Sequence, residues 1–220
     1  MKKIGKYTLS ALAKSMSQCD REEMSKFIGG GFKYTFNGAG QLDKVEEVEG
    51  DMNIVSAGGS ILSVSGDLSI NFTPANEDFK SGGLSINGGN MDLFKFLADN
   101  TDVEWAASYD SNGNAVINTN YDAYAVEVNR LDGFEYHIHS HPGEIEENEA
   151  YSYASDKDVS SGVASLRGTL HGKYDYERFE IYIPATENSE GEIFDYTNYV
   201  KQNLPDRDKK SDVEVLCRKR

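Results

Sequence analysis

Apolar and polar positions alternate with period two at Phe32, Tyr34 and Phe36, just ahead of Asn37-Gly38-Ala39-Gly40, so a strand running into a tight turn and a hairpin is expected. From there to Gly89 the chain is rich in Gly, Ser and β-formers and reads as a small antiparallel β element. The period then changes. Met91, Phe94, Leu97 and Ala98 fall at helical spacing behind Asn90, a residue suited to cap a helix start. Two short strands follow about Asn112-Gly113, then strand candidates at 123–129 and 134–140. Residues 156–170 read as a helix despite Gly162, and 178–185 as a strand closed by Pro184. Helix, strands, loop, helix and strand in this order suggest an α/β sandwich.

The first thirty residues show a different pattern. Leu9, Leu12 and Met16 lie on one helical side, Asp20 and Glu23 are spaced as a capping box, and Met24, Phe27 and Ile28 edge a second short helix. Gly29-Gly30-Gly31 ends it in an accessible strip of backbone. The basic start lacks the apolar centre of about 7–15 residues that a general secretory signal needs.

Composition narrows the function classes. At 220 residues the chain holds one ordinary domain with a real core, and 38% apolar residues place it among folded proteins rather than acidic disordered tails. With 37 acidic and 22 basic side chains the net charge is −15, which repels phosphate backbones and anionic lipid, so no nucleic-acid partner is expected. No apolar run is long enough for membrane insertion. Cys19 and Cys217 stand at opposite ends, outside any Cys-x-x-Cys pair, so a metal here must be held by His and carboxylate.

Three of the four histidines sit in "YHIHSHP". On a strand His137, His139 and His141 project to one face, and two imidazoles at i and i+2 can reach one metal. A catalytic zinc takes three protein ligands, so a third is needed. Ser155 and Asp158, at i and i+3, put a hydroxyl and a carboxylate on one side of a helix's first turn. Twelve residues separate Pro142 from Ser155, and His137 or Glu144 could serve as the third ligand if that loop displaces Asp158. Glu144, Glu146, Glu147 and Glu149 otherwise read as a solvated run, and His171 as an ordinary surface histidine.

His139-Ser140-His141-Pro142 followed by Ser155-x-x-Asp158 resembles the JAB/JAMM metallopeptidase motif, with a longer connection than the family usually has. The layout looks most like the JAB-like toxin domains of Bacteroidetes polymorphic toxins. The resemblance implies a JAB/JAMM-type sandwich, a central mixed sheet flanked by helices, behind the small β element. It implies Zn2+ on His139, His141 and Asp158, with Glu104, on an earlier strand after a helix, as proton carrier and Ser155 as donor to the developing oxyanion. Ser140 then braces the strand. The reaction is hydrolysis of an amide or isopeptide bond in a protein or peptide substrate.

The segment "LSALAKSMSQCDREEMSKFIGG" is similar to the double-glycine leaders of bacteriocin-type precursors. That likeness implies a peptidase-containing ABC transporter cutting after Gly30, a secreted product, and, for a toxin, an immunity protein. The expected organisation is a leader at 1–30, the β-rich element at 31–89, the metallopeptidase-like domain at 90–200 and a charged tail at 201–220. A non-catalytic binding domain of the same fold and an intracellular isopeptidase are the alternative readings.

Overall fold

A computed structural model describes residues 31–48, 51–65, 68–75, 80–127, 133–142, 154–170, 176–187 and 189–205. The leader, the acidic loop with Glu144, His171, both cysteines and the tail beyond 205 lie outside the described residues.

Strands β1 (Phe32–Phe36), β2 (Leu42–Glu47), β3 (Met52–Val55) and β4 (Ile61–Val64) form a four-stranded sheet in the order β2-β1-β3-β4. The expected hairpin is β1 with β2, antiparallel with a register shift at Thr35/Phe36. The antiparallel reading of this region is corrected at one place: β1 and β3 run parallel, so the small sheet is mixed. Its strands also stop at Val64. Strands β5 (Ser69–Thr73) and β6 (Gly83–Gly89) are hydrogen-bonded into a larger sheet. Sheet membership is decided by pairing partners far along the chain, which alternation within one strand does not encode.

The larger sheet has seven strands in the order β11-β10-β9-β7-β8-β6-β5, adding β7 (Ala106–Asp110), β8 (Ala115–Thr119), β9 (Phe134–Ser140), β10 (Arg178–Ile183) and β11 (Glu192–Asp195). It is mixed, because β9 and β10 are parallel and its other neighbours antiparallel. Helix α1 (Met91–Asp99) begins where the sequence places it: the Asn90 side chain accepts from the Leu93 amide at 2.9 Å. The turn between β7 and β8 is closed by Asp110, whose carboxylate accepts from the amides of Asn112 and Asn114, with Gly113 at φ 83° supplying the left-handed residue.

Residues 123–127 were expected to be extended in a sheet and are not. Side chains take the backbone groups that a ladder would have used: Asn120 accepts from the Glu127 amide at 2.6 Å and Asn118 donates to the Glu127 carbonyl at 2.7 Å. Helix α2 (Asp156–Leu170) tolerates Gly162 because that residue faces Val200 of helix α3 (Thr197–Gln202) at close range. Strand β11 and α3 have no counterpart in the sequence reading, being too short for either period to register. The start of the expected tail is packed, with Leu204 buried.

Strand β10 divides its side chains between two cores. Tyr182 joins α1, the small sheet and β6–β9, while Phe179, Ile181 and Ile183 join α2 and α3. His137 and His139, alternating with Ile138 on β9, therefore leave the first core, which contains Ile138, and turn the other way.

Candidate metal centre

The C-terminal end of β9 is built to hold position. Its neighbours are β7, antiparallel, and β10, parallel, so His139 lies opposite Ala106 on one side and Ile181 on the other. Beyond the strand the His141 amide donates to the Tyr182 carbonyl at 2.9 Å, which keeps the backbone in line although Pro142 ends the ladder. Ser140 is fully buried. Its hydroxyl accepts from the Trp105 amide at 2.9 Å and its own amide donates to the Trp105 carbonyl at 2.8 Å. That is the bracing role expected of it, and it ties the segment carrying Glu104 to the histidine strand.

Helix α2 brings the third group. Ser155 stands at its N-cap with Asp158 three residues on, and the two exchange bonds: the Asp158 amide donates to Ser155 Oγ at 3.2 Å, and the Ser155 amide to Asp158 Oδ2 at 2.7 Å. This is a capping box with an aspartate in the place of the usual glutamate. It fixes the carboxylate against the helix start, where the partial positive charge of the free amides favours an anion. Because the Ser155 hydroxyl is used there as acceptor, its O–H remains able to donate.

His139 Nε2 and His141 Nε2 are 3.0 Å apart, His139 Nε2 and Asp158 Oδ1 3.2 Å, and His141 Nε2 and Asp158 Oδ2 3.6 Å. The longer loop does not displace Asp158, which lies with His139 and His141. A tetrahedral ion with ligands at about 2.0–2.1 Å separates them by about 3.3 Å, and the three observed distances bracket that value. Two imidazole nitrogens and one carboxylate oxygen make a donor set that zinc accepts. Burial pushes the His139 pKa down despite its bond to Asp158, leaving the neutral ring a metal requires. At Asp158 burial works upward but is overcome by the hydrogen bonds to His139 and His141, so the group is held well below the usual carboxylate range and stays ionised. The site can hold a metal ion.

Glu104 enters from the short segment between α1 and β7. Its amide donates to the Asp122 carbonyl at 2.8 Å, and the next residue, Trp105, is locked by Ser140 and by its indole N–H donating to Thr101 Oγ1 at 2.8 Å. The side chain is 9% exposed. Burial raises its pKa to about 7; His141 and Lys157 pull it down, and Asp158 and Asp122 push it up. The Ala106–His139 pairing of β7 with β9, continued by the hydrogen bonds between Trp105 and Ser140, sets Glu104 across from His141.

His137 does not reach the trio. It is buried one residue pair back on β9, its ring stacked on that of His139 with centroids 5.6 Å apart and 18° between planes. Tyr196, between β11 and α3, meets His139 edge-on at 6.1 Å and 86°. Nothing in the sequence reading pointed to Tyr196, which lies beyond the motif residues with no local pattern of its own.

Residues 87–162 match the family model JAB-like toxin 1. The segment runs from the end of β6 to the middle of α2 and contains Glu104, His139, His141, Ser155 and Asp158; it leaves out the four-stranded sheet, β10, β11 and α3. No curated protein and no solved structure matches the chain. The JAB-like match agrees with the resemblance carried by the histidine motif. Among the described residues no helix is long and apolar enough to cross a membrane.

Proposed function

We propose that the chain is a zinc-dependent peptidase or isopeptidase of JAB/JAMM type that acts as an exported toxin. The observation that carries the proposal is the meeting of His139, His141 and Asp158 at 3.0–3.6 Å beside a buried glutamate poised near neutrality. The JAB-like toxin match supports both the chemistry and the antagonistic role.

His139, His141 and Asp158 would hold the ion, which when bound supplies Lewis acidity and brings the pKa of water from about 15.7 toward about 7. Glu104 takes the proton of the attacking water and returns it to the leaving amine, a task suited to a base whose pKa lies near the working pH. The Ser155 hydroxyl donates to the carbonyl oxygen as negative charge gathers there, an interaction that strengthens toward the transition state. Ser140 and Trp105 keep the base and the histidines in register. Export follows from the leader reading of residues 1–30, with cleavage after Gly30 by a peptidase-containing ABC transporter and an immunity protein to shield the producer.

The test is metal analysis of the purified wild type beside His139→Ala. About one zinc per chain in the first and none in the second is the expected result for a site of this donor set. A metal-free wild type prepared without chelator and refilled with zinc to no effect overturns the proposal.

A further inference from the structure

We infer that Tyr196 is a positioning residue of the metal centre, its ring packing at a right angle to the His139 imidazole so that Nε2 stays aimed at His141 and Asp158. The inference rests on the metal reading above and adds to it an element outside the segment matched by the JAB-like model.

The χ2 torsion of a histidine is broad, so a ligating ring needs neighbours to define it. His139 has two aromatic ones of different kind. His137 stacks on it nearly parallel, which sets the ring plane but leaves the ring free to slide within that plane. Tyr196 stands at 86° to it with centroids 6.1 Å apart, a second ring contact of different geometry on the same imidazole.

Tyr196 is itself immobilised. It is 4% exposed, its ring packs on Phe179 at 6.1 Å, and its amide donates to the Phe179 carbonyl at 3.0 Å. On its other flank the Phe179 amide donates to Thr197 Oγ1 at 2.9 Å, and the Thr197 amide to Asp195 Oδ1 at 2.8 Å. Phe179 is paired with His137 across β9 and β10, so the wall behind His139 is one continuous unit. The same junction starts α3, whose Val200 abuts Gly162 of the helix that carries Asp158.

The experiment measures zinc affinity of the full chain by competition with a chromophoric chelator, together with the visible spectrum of the Co2+-loaded protein. Wild type is compared with Tyr196→Phe and Tyr196→Leu. Loss of the ring is expected to weaken zinc about 10–100-fold, as removal of outer supports of ligating histidines does, and to change the Co2+ spectrum. Tyr196→Phe keeps the ring and should retain both properties. Wild-type affinity and spectrum in Tyr196→Leu overturn the inference, as does a Tyr196→Phe loss equal to that of Tyr196→Leu. Tyr196→Met, unbranched and ringless, replaces the leucine variant should that fail to fold. A wild type that binds neither ion removes the metal reading itself, a result distinct from equal binding by all variants.

Discussion

Two glutamates, one on β10 and one just ahead of β7, are buried in opposite circumstances. Glu180 of β10, 7% exposed, has both oxygens engaged: Oε1 with Arg178 Nε at 3.2 Å and Oε2 with the Tyr136 hydroxyl. Arg178 also lies over the Tyr136 ring at 4.0 Å, and Tyr136 stacks on Tyr109, so charge and ring are closed into one cluster. Glu104 is about as buried, yet what surrounds it is His141 and Lys157 on one side of the balance and Asp158 and Asp122 on the other, and burial decides. A buried carboxylate that is fully partnered belongs to the architecture. One whose charge is left nearly in balance can take up and release a proton, and that is the property a general base needs.

The largest expected effect tests that division directly. Glu104→Gln keeps the shape of the side chain and removes its proton chemistry, so hydrolysis by the zinc-loaded protein should fall by about 10²–10⁴ while the zinc content stays as in wild type. Glu180→Gln should leave both unchanged. A Glu104→Gln protein that still cleaves, or a Glu180→Gln protein that does not, would reverse the two roles.

Next in size is a pH effect on the metal-free protein. Glu104 is pushed up to about 7 from the 4.5 of a free glutamate, so between those values the folded state holds a proton that the unfolded state has lost. Stability from this group is complete below pH 4.5 and is lost as pH rises to 7, an effect of roughly 3 kcal/mol at about 1.4 kcal/mol per unit. His139, whose pKa is depressed by burial, runs the other way. The readout is therefore the difference between wild type and Glu104→Gln in urea unfolding at pH 4.5 and 7.5. The gap between them should close or reverse as pH rises, and a constant gap counts against the raised pKa. A bound cation lowers the Glu104 pKa, so in the loaded enzyme the acidic limb of the rate profile lies at or below 7.

How much of this could be read in the chain depends on the reach of each signal. Asn90 capping α1, the turn at Asn112-Gly113 and the Ser155–Asp158 pair at the start of α2 are local, each settled within four residues, and the structure places them where the sequence does. His139 and His141 were legible for the same reason, being two residues apart at one strand end. Glu104 was reached only through the family resemblance, since its approach to the histidines passes through Trp105 and Ser140, 35 residues apart. The parallel pairing of β1 with β3, the passage of β5 and β6 into the larger sheet, and the seat of Tyr196 beside His139 all depend on partners that no local period names. At 123–127 a real alternation was overruled by two asparagine side chains that captured the backbone.

A smaller effect belongs to the partnered glutamate. Glu180→Gln exchanges a charge-assisted cluster for a neutral one and leaves Arg178 at the half-open rim, so unfolding free energy should drop by about 1–3 kcal/mol with no change in zinc affinity. A loss of zinc would mean that the two clusters communicate along β9 and β10.

The smallest effect concerns how the helix bearing Asp158 is seated. A β-carbon on Gly162 would come within 2.5 Å of Val200 Cγ2, and Val200 is fully buried and, being β-branched, holds a stiff rotamer. Alanine gains about 1 kcal/mol of helix propensity over glycine, whereas overpacking costs about 1–3 kcal/mol, so Gly162→Ala should destabilise by about 1 kcal/mol. In the Val200→Ala background the clash is gone and only the propensity gain remains, so the same substitution should stabilise. The sign change is the point of the double-mutant cycle, with a coupling of about 1–2 kcal/mol between positions that touch. Additive effects would show that the glycine is not there for Val200. The coupling should appear in stability and, because α2 carries Asp158 and α3 follows Tyr196, should be echoed in zinc affinity with the same sign, whereas the Glu180 cluster, closed on itself, should register neither.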